Sequence, residues 1–315
     1  MKILIAPLNW GLGHASRCVP IINRLLTEGH EVVLGGDGAS LMLLQQHFPT
    51  LRTLALPTLN LRYNRGSQQV TAILKALPKL FFWARREHQC LSAIQAEECF
   101  DMIISDNRFG LYCTEARCVY ITHQLHILFP RFVKWLEPLA EALHALIAKH
   151  YTEIWVPDYE DVHQALAPAL SHPKSHRYAE MNIRYIGPLS RFKKNGFLPN
   201  SSYDVVAIVS GLEPQRTIFE EEIKRKYSAT DERILLVRGI VSEPARFTES
   251  ENITSVAHLD DATLTPYLLG AQTILARSGY STIMDLAALG LISRAHLYAT
   301  PGQPEQEYLE KRFSV

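Results

Sequence analysis

A glycine-containing loop that ends in a histidine is the first feature that could carry chemistry. Gly11 and Gly13 lie three residues and one residue before His14, and the loop follows the apolar run Lys2–Pro7. Such a loop fits the turn from a buried parallel strand into a helix N-terminus, where free backbone N–H groups and the helix dipole favour an anion. Imidazole titrates near neutrality, so His14 is the candidate general base. A capping, phosphate-binding or purely structural role for His14 stays open.

A second loop of the same kind lies near the other end of the chain. Arg277, Ser278 and Gly279 follow the apolar run Thr273–Ala276 and lead into the helical stretch Tyr280–Gly290. They offer a positive charge, a hydroxyl and backbone N–H groups, which together suit a diphosphate. The sequence therefore predicts one anion-binding loop in each half of the chain.

Two other groups of polar residues are weaker candidates. His123 and His126 have the spacing of metal ligands, but no acidic residue or cysteine clusters with them, so we expect no metal site. His123 and Gln124 follow an apolar strand, and they either contact an acceptor or only line a cleft. The pair Asp260–Asp261 ends a strand and predicts a helix N-cap or a loop.

The elements that must position these residues have the alternating pattern of a parallel α/β protein. Short β-rich apolar runs alternate with amphipathic stretches, and Gly29 is expected to end the first helix. The predicted strands are Lys2–Pro7, Glu31–Gly35, Leu51–Leu56, Asp101–Ser105, Val119–Thr122, Glu153–Val156, Asp204–Ser210, Arg233–Arg238, Thr254–Leu259, Thr273–Ala276 and Ala295–Ala299.

Length and local composition predict two domains. The chain has 315 residues, and Gly, Pro, Ser and Lys crowd without periodicity between Ile186 and Ser202. We expect an N-terminal Rossmann-like domain over 1–188, a hinge over 189–202 and a C-terminal Rossmann-like domain over 203–315. The second domain is expected to be short or truncated, because the chain stops soon after the helical stretch Gln303–Phe313.

Charge and cysteine content exclude several classes of protein. The 32 basic residues balance 32 acidic ones, so electrostatics give no case for nucleic-acid binding. The five cysteines form no Cys-x-x-Cys pair, which argues against a disulfide framework or a zinc knuckle and fits a reducing cytoplasm. The N-terminal apolar run is too short for a signal peptide, and no run is long enough to span a bilayer.

Taken together, these motifs resemble those of family 28 and family 1 glycosyltransferases. The loop Gly11–His14 resembles their N-terminal loop, and Arg277–Gly290 resembles Arg-Ser-Gly-x-x-Thr-x-x-Glu-x-x-x-x-Gly of the lipid II-forming N-acetylglucosaminyltransferase branch. Ser210–Arg216 and Thr300–Tyr308 lie where that branch has its other donor-site segments. The resemblance implies the GT-B architecture, with two Rossmann-like domains facing a central cleft.

The resemblance also implies roles for individual residues. Asp106, which follows an apolar strand, would pair with His14 as the family 1 aspartate does, although an Asx turn or N-cap with Asn107 stays open. Asp285 would replace the donor-site Glu that accepts hydrogen bonds from ribose hydroxyls, or else it is an ordinary helix carboxylate. The remaining donor-side residues are Gly11, Gly13, Ser210, Gly211, Arg216, Arg277, Ser278, Gly279, Thr282, Gln303 and Gln306. Pro214 removes one N–H donor from its loop.

The implied activity is an inverting, hexosyl-type transfer from a UDP-sugar to an acceptor hydroxyl, with the UDP-sugar as co-substrate and no metal or other cofactor. The acceptor would be a lipid-linked or cell-envelope glycan. Two alternatives are a UDP-sugar 2-epimerase, which would need more cleft carboxylates than the sequence offers, and a non-catalytic nucleotide-sugar-binding remnant.

Two aromatic and basic stretches raise the prospect of peripheral contact with the cytoplasmic face of a membrane. Val70–Arg86 combines apolar, aromatic and basic residues, and Leu125–Trp135 adds Phe129, Phe132 and Trp135. The alternative is that both stretches are core helices of a large domain.

Overall fold

The protein is described by a computed structural model that covers residues 1–59 and 69–314, with side chains from residue 78 onward in the second range. The chain divides into two compact units. One contains residues 1–10, 14–59 and 70–189, and the other contains residues 11–13 and 190–314.

The first unit is built on a parallel sheet of seven strands in the order β3-β2-β1-β4-β5-β6-β7. Its strands are β1 (Lys2–Pro7), β2 (Glu31–Gly36), β3 (Thr53–Ala55), β4 (Met102–Asp106), β5 (Arg117–Ile121), β6 (Glu153–Val156) and β7 (Ile183–Tyr185). Its helices are α1 (Gly13–Thr27), α2 (Gly38–His47), α3 (Gln69–Glu98), α4 (Glu137–Ala148) and α5 (Pro168–Ser171), with 3-10 turns at Arg131–Leu136 and His176–Tyr178.

The second unit is built on a sheet of six strands in the order β10-β11-β9-β8-β12-β13, in which β10 alone runs antiparallel to its neighbour. Its strands are β8 (Val205–Ile208), β9 (Ile234–Val237), β10 (Thr248–Ser250), β11 (Ile253–Val256), β12 (Thr273–Arg277) and β13 (Ala295–Tyr298). Its helices are α6 (Gln215–Tyr227), α7 (Asp261–Gly270), α8 (Tyr280–Leu289) and α9 (Pro304–Phe313), with a 3-10 turn at Ile292–Arg294.

The central strands are mostly apolar because both faces of a parallel sheet are covered. Ile3, Leu4 and Ile5 of β1 are fully buried, as are Ile234 and Leu235 of β9. This confirms the predicted α/β class and all eleven predicted strands, with ends shifted by a few residues. β7 and β10 were missed: each has three residues, and Thr248–Ser250 is exposed throughout.

The predicted helix boundaries have clear causes. Gly29 has a φ of +77° just past the end of α1, a conformation that favours glycine, so its predicted role is confirmed. Asp260 caps α7 by accepting the Thr263 backbone N–H at 2.9 Å, which confirms the N-cap interpretation of that acidic pair.

The segment predicted as a hinge lies largely within the second unit. Arg191 forms an ion pair with Asp261 at 3.1 Å, Phe192 is buried, and the Asn200 N–H donates to the Pro266 carbonyl at 2.8 Å. Residues 190–202 are therefore anchored by α7 and do not form a free linker.

Candidate functional site

Three residues that the sequence predicted to be functional lie together at the carboxyl ends of strands in the first sheet. Its strand order reverses between β1 and β4, the kind of position where open α/β sheets bind ligands outside the carboxyl ends of their strands. Pro7 is opposite Asp106 in the β1–β4 pairing, and Asp106 is opposite Ile121 in the β4–β5 pairing. His14 follows β1 and His123 follows β5, so the three neighbouring strands deliver His14, Asp106 and His123 to the same place.

His14 and Asp106 are hydrogen-bonded. The His14 Nδ1 lies 2.7 Å from Asp106 Oδ1, with the Asp106 side chain fully buried and 15% of the His14 side chain exposed. Asp106 forms neither the Asx turn nor the cap with Asn107 that the sequence left open. The arrangement matches the base-and-carboxylate part of a catalytic triad, in which the carboxylate orients the imidazole.

Asp106 is ionised in this environment. Although burial opposes its charge, Arg17 and His14 hold the pKa of the Asp106 carboxyl at about 2. An ionised carboxylate only accepts hydrogen bonds. His14 therefore carries its proton on Nδ1, and its Nε2 holds the lone pair.

Sequence reasoning missed Arg17, the fourth member of this group. Arg17 is 2% exposed and donates through Nε to Asp106 Oδ2 at 2.5 Å and through Nη2 to Asp106 Oδ1. Its Nη1 lies 3.1 Å from His123 Nδ1. The signal was present in the spacing, because Arg17 lies three residues after His14 in α1 and so occupies the same helix face. We call Arg17, His14, Asp106 and His123 the Arg17 cluster.

His14 is poised as a neutral base. Burial lowers its pKa, the Asp106 charge raises it, and the positive charge of Arg17 lowers it again, with a net result below the usual value. A histidine with a lowered pKa is unprotonated at neutral pH, which is the form that accepts a proton.

The other two predicted residues of this edge have separate partners. The Gln124 backbone N–H donates to Thr122 Oγ1 at 3.1 Å, and the half-buried side chain stays a candidate for acceptor contact. The His126 ring lies 3.0 Å from Glu141 Oε2 through Nδ1 and 3.5 Å from Glu137 Oε2 through Nε2. No group of three or more potential metal ligands occurs among the described residues.

A second buried arginine lies in the same unit. Arg108 is fully buried, and its Nε donates to Glu87 Oε1 at 2.6 Å while its Nη1 donates to Asp37 Oδ1 at 2.9 Å. It also donates to the carbonyl oxygens of Pro7, at 3.3 Å, and of Pro57, at 2.7 Å. We call Arg108, Glu87 and Asp37 the Arg108 cluster.

The second sheet has its own reversal of strand order, between β8 and β12. The loops after these strands contain Ser210 and Gly211 on one side and Ser278 and Gly279 on the other. Gly211 has a φ of +110° and no atom within 4 Å of the position that a Cβ would take, so the chain there is open and glycine-dependent. Gly279 precedes α8, and no side chain caps the N-terminus of that helix.

Arg277 is not presented as a cation at the surface of this edge. It is 5% exposed, packs 4.2 Å from the centre of the Phe219 ring, and donates through Nη1 to the Ala299 carbonyl at 2.9 Å. Its position at the end of β12 turns the side chain under α6. Arg277 thus braces the loops through Nη1, while its Nε is buried without a hydrogen-bond partner among the described residues, and the phosphate contact stays a prediction.

Arg216 is also held by neighbouring groups. It donates to Glu213 through Nη2 and Nε and to Glu220 Oε2 at 3.2 Å, and its Nη1 reaches the Arg238 carbonyl at 3.2 Å. A phosphate would have to compete with two carboxylates for this guanidinium, which is unfavourable for the predicted role.

Asp285 lies in α8 and accepts a hydrogen bond from Ser190 Oγ at 2.6 Å. Burial raises its pKa to about 6, against the opposing effects of Arg191 and Ser190. Asp285 is therefore ionised above that pH and keeps capacity to accept further hydrogen bonds. Thr282, half-buried in the first turn of the same helix, lies next to Gly279.

The segment after β13 contains both predicted glutamines. The Gln306 side-chain oxygen accepts the Thr300 backbone N–H at 2.8 Å, and its backbone carbonyl accepts Ser278 Oγ at 2.8 Å, so Gln306 shapes the loop. Gln303 differs, because its side-chain Nε2 is buried and has no hydrogen-bond partner among the described residues. A buried donor without a partner is costly in a free protein and is expected where a ligand supplies the acceptor.

A cavity of the second unit lies elsewhere. It has a volume of about 710 Å³ and is lined by residues of α6, β10 and β11 such as Lys224, Thr248 and Ser255. It includes none of the residues predicted to bind a donor, and its walls are mixed in charge.

Comparisons with known proteins agree with this description. No protein-family model matches the chain. It is 25% identical over 309 residues to an uncharacterized glycosyltransferase of Methanosarcina acetivorans, covering 92% of this chain and 76% of the relative. Among solved structures, spinosyn rhamnosyltransferase SpnG, also solved with thymidine diphosphate, matches with a TM-score of 0.60 at 14% identity, covering 99% of this chain and 84% of SpnG. The fold is that of the GT-B glycosyltransferases.

A plant structure extends the comparison. Phytolacca americana UGT2, complexed with UDP-2-fluoro-glucose and pterostilbene, matches with a TM-score of 0.53 at 13% identity, covering 98% of this chain and 82% of the plant protein. The predicted GT-B architecture is therefore confirmed as a fold. The narrower resemblance to the lipid II-forming branch stays a prediction.

Proposed function

We propose that the protein is a glycosyltransferase that moves a sugar from a nucleoside-diphosphate sugar to an acceptor hydroxyl. The observation that carries the proposal is the hydrogen bond between His14 and Asp106 at the strand-order reversal of the first sheet. Relatives that are named glycosyltransferases and neighbours with the GT-B fold support it.

In the proposed reaction, His14 Nε2 takes the proton of the acceptor hydroxyl while that oxygen bonds to the anomeric carbon. The bond from the anomeric carbon to the diphosphate oxygen breaks, and the nucleoside diphosphate leaves with the bonding electrons. Asp106 stabilises the imidazolium that forms on His14. A single displacement of this kind inverts the anomeric configuration, as the sequence led us to expect.

The second unit would hold the donor at the carboxyl ends of β8, β12 and β13. The uncapped N-terminus of α8 offers backbone N–H groups and a positive dipole end to the leaving diphosphate. Asp285 would accept the ribose hydroxyls, and Gln303 would donate to a sugar oxygen. We favour UDP as the nucleotide and a hexose as the sugar. The proposal includes no metal ion and no further cofactor.

Calorimetric titration of UDP, TDP and GDP and of their hexose conjugates into the full chain tests donor binding. We expect one of these nucleotide sugars to bind, and Gln303→Leu to weaken its binding about tenfold or more without lowering the melting temperature, because the amide has no partner to lose. Asp231→Ala, at an exposed position before β9, is the matched control. Absence of binding by every nucleotide and nucleotide sugar would contradict the proposal.

The acceptor is proposed to be lipid-linked, and one exposed surface supports this. In the segment 131–149, Phe132 and Trp135 are about three-quarters exposed, and Leu139, Leu143 and Leu146 of α4 are exposed on one face. Of the stretch Leu125–Trp135, Leu125 itself lies in the core. Phe81 and Phe82 of α3 are also exposed, whereas the side chains of 70–77 lie outside the described residues.

The charges of this surface fit an anionic bilayer. Both carboxylates of the segment, Glu137 and Glu141, are buried and face His126, so the exposed charges of 131–149 are the cations Arg131, Lys134 and Lys149. An apolar, aromatic and basic helical face binds in the plane of an anionic membrane interface. Among the described residues, no helix is long and apolar enough to cross a bilayer.

Co-sedimentation with vesicles tests this docking surface. The wild-type protein is expected to bind phosphatidylglycerol-containing vesicles more than pure phosphatidylcholine vesicles, and the double variant Trp135→Ser/Leu143→Ser to lose that binding. Leu198→Ser, at the most exposed large apolar side chain among the described residues, is the control. Binding to neither vesicle, or a dimer that the double variant abolishes, would overturn the membrane assignment.

A further inference from the structure

The Arg17 guanidinium lies at the centre of the Arg17 cluster. Arg17 is buried beneath His14, and its guanidinium contacts three ionisable side chains at once. Two of its nitrogens bind the two Asp106 oxygens, the third lies 3.1 Å from His123 Nδ1, and Nη2 is also 3.0 Å from His14 Nδ1. A guanidinium is always charged and only donates hydrogen bonds.

The contact with His123 determines the tautomer of that histidine. Because Arg17 Nη1 is a donor, His123 Nδ1 must be the acceptor, and the proton of a neutral His123 lies on Nε2. His123 is 5% exposed and lies against the Arg17 guanidinium.

The contact with Asp106 determines the opposite tautomer of His14. Asp106 is held ionised between Arg17 and His14, so the 2.7 Å contact requires a proton on His14 Nδ1. Arg17 Nη2 then donates its hydrogen to Asp106 Oδ1. Because Nη2 and His14 Nδ1 both carry hydrogens, their short distance is repulsive, and the positive charge of Arg17 lowers the pKa of His14.

We propose that Arg17 is a positioning residue that fixes the two histidines in opposite tautomers, with His14 as proton acceptor and His123 as hydrogen-bond donor, each through Nε2. The proposal rests on the proposed function for its use in catalysis. An acceptor hydroxyl that gives its proton to one imidazole nitrogen has oxygen lone pairs left, and a neutral imidazole N–H is suited to an oxygen of the substrate.

The groups that face this pair come from three elements. Arg17 and Cys18 belong to α1, Asp106 belongs to β4, and His123 follows β5. Cys18 Sγ lies 3.7 Å from Asp106 Oδ2, and burial raises the pKa of its thiol, so it stays a neutral weak donor. The charges that act on His14 within the first unit are therefore those of Asp106 and Arg17, with His123 as a further titratable neighbour.

Nitrogen-15 NMR of the full chain labelled at its histidines tests the tautomers directly, without any substrate. The spectra of His14→Gln and His123→Gln variants assign the two residues. At neutral pH we expect the wild-type protein to show His14 protonated on Nδ1 and His123 protonated on Nε2. The same tautomer at both residues, or a doubly protonated His123, would overturn the proposal even if the enzyme transfers sugar.

Two substitutions at Arg17 then separate positioning from mere support of the fold. Arg17→Lys keeps the charge but offers one nitrogen in place of three, so His14 should keep its tautomer while His123 becomes a mixture of both. Arg17→Gln removes the charge and should move the acidic limb of the kcat/KM profile to higher pH, with Arg17→Lys moving it less. Unchanged His123 signals in Arg17→Lys would contradict the proposal, and the wild-type spectra decide it if neither variant folds.

Discussion

The two buried arginine clusters of the first unit contain similar residues but differ in the partners of the arginine. In the Arg108 cluster, every hydrogen bond of the guanidinium goes to a carboxylate or a backbone carbonyl, and these partners belong to β1, the loops after β2 and β3, and α3. In the Arg17 cluster, the partners include two histidines, and one of them keeps an exposed edge. The first arrangement ties elements together, whereas the second leaves part of a histidine side chain exposed, which under the proposed function serves as the base.

The comparison shows that burial of an ion pair does not by itself identify a functional site. Arg108 and Arg17 are almost equally buried and both bind carboxylates. The difference is that the Arg17 cluster contains histidines, the residue type that changes protonation near neutrality. One of them, His14, is partly exposed to solvent.

The largest expected effect in the Arg108 cluster is on stability. Arg108→Met leaves Glu87 and Asp37 without their cation, and removal of one partner of a buried pair costs about 3–5 kcal/mol of unfolding free energy. Urea denaturation followed by circular dichroism measures this loss. Arg24→Met is the control, because Arg24 is 80% exposed and its pair with Glu28 contributes less than about 1 kcal/mol. Equal losses in both variants would remove the distinction between the clusters.

The pH dependence of stability should differ in sign between the clusters. Burial raises the pKa of Glu87 to about 7, against the charge of Arg108, so the folded protein binds this proton more tightly than the unfolded chain. The contribution of Glu87 to the free energy of unfolding is complete below pH 4.5, the usual pKa of a Glu carboxyl. It is lost as pH rises to about 7, with a slope of at most ~1.4 kcal/mol per pH unit. Asp106 acts oppositely: its contribution is present above the usual carboxyl pKa and is lost as pH falls towards 2.

Glu87→Gln isolates the first of these effects. Between pH 4.5 and 7, the variant should lack the decline in unfolding free energy that Glu87 causes in the wild-type protein. Urea denaturation at several pH values measures this difference. A decline identical to that of the wild-type protein would show that Glu87 titrates at its ordinary pKa and would weaken the account of the Arg108 cluster.

The smallest expected effect comes from a substitution that keeps an acceptor. At pH 8, above the Glu87 pKa of about 7, Asp37→Asn retains one oxygen for the 2.9 Å contact with Arg108 Nη1 and loses only the charge, since the ionised Glu87 still neutralises the guanidinium. We expect a loss of about 1 kcal/mol of unfolding free energy by the same denaturation assay. A loss as large as that of Arg108→Met would place the main ion pair at Asp37.

Much of the fold could be predicted because parallel strands buried on both faces carry an unmistakable apolar signal. β7 and β10 lacked it, since three-residue edge strands need little burial. His14 and Asp106 could be placed at strand ends from local sequence, and the GT-B resemblance suggested their pairing. Arg17 was missed because its partner is 89 residues away, a distance that local periodicity does not encode.

The donor side shows the limit of motif reasoning more sharply. Arg277 and Arg216 lie in the loops that the motifs assign to donor binding, but the direction of a side chain depends on packing that a motif does not state. Arg277 turns inward to Phe219, and Arg216 turns to Glu213 and Glu220. Gln303 shows the converse, because its unpartnered amide nitrogen becomes visible only in the structure.

The most direct test of the central claim is the rate at which nucleoside diphosphate is released from the tightest-binding nucleotide sugar in the presence of hydroxyl acceptors. The account predicts that His14→Gln lowers this rate about 10²–10⁴-fold while calorimetric binding of the nucleotide stays unchanged. The control His163→Gln, at an exposed surface position, should keep the wild-type rate. Release by His14→Gln at the wild-type rate would contradict the assignment of His14 as the base.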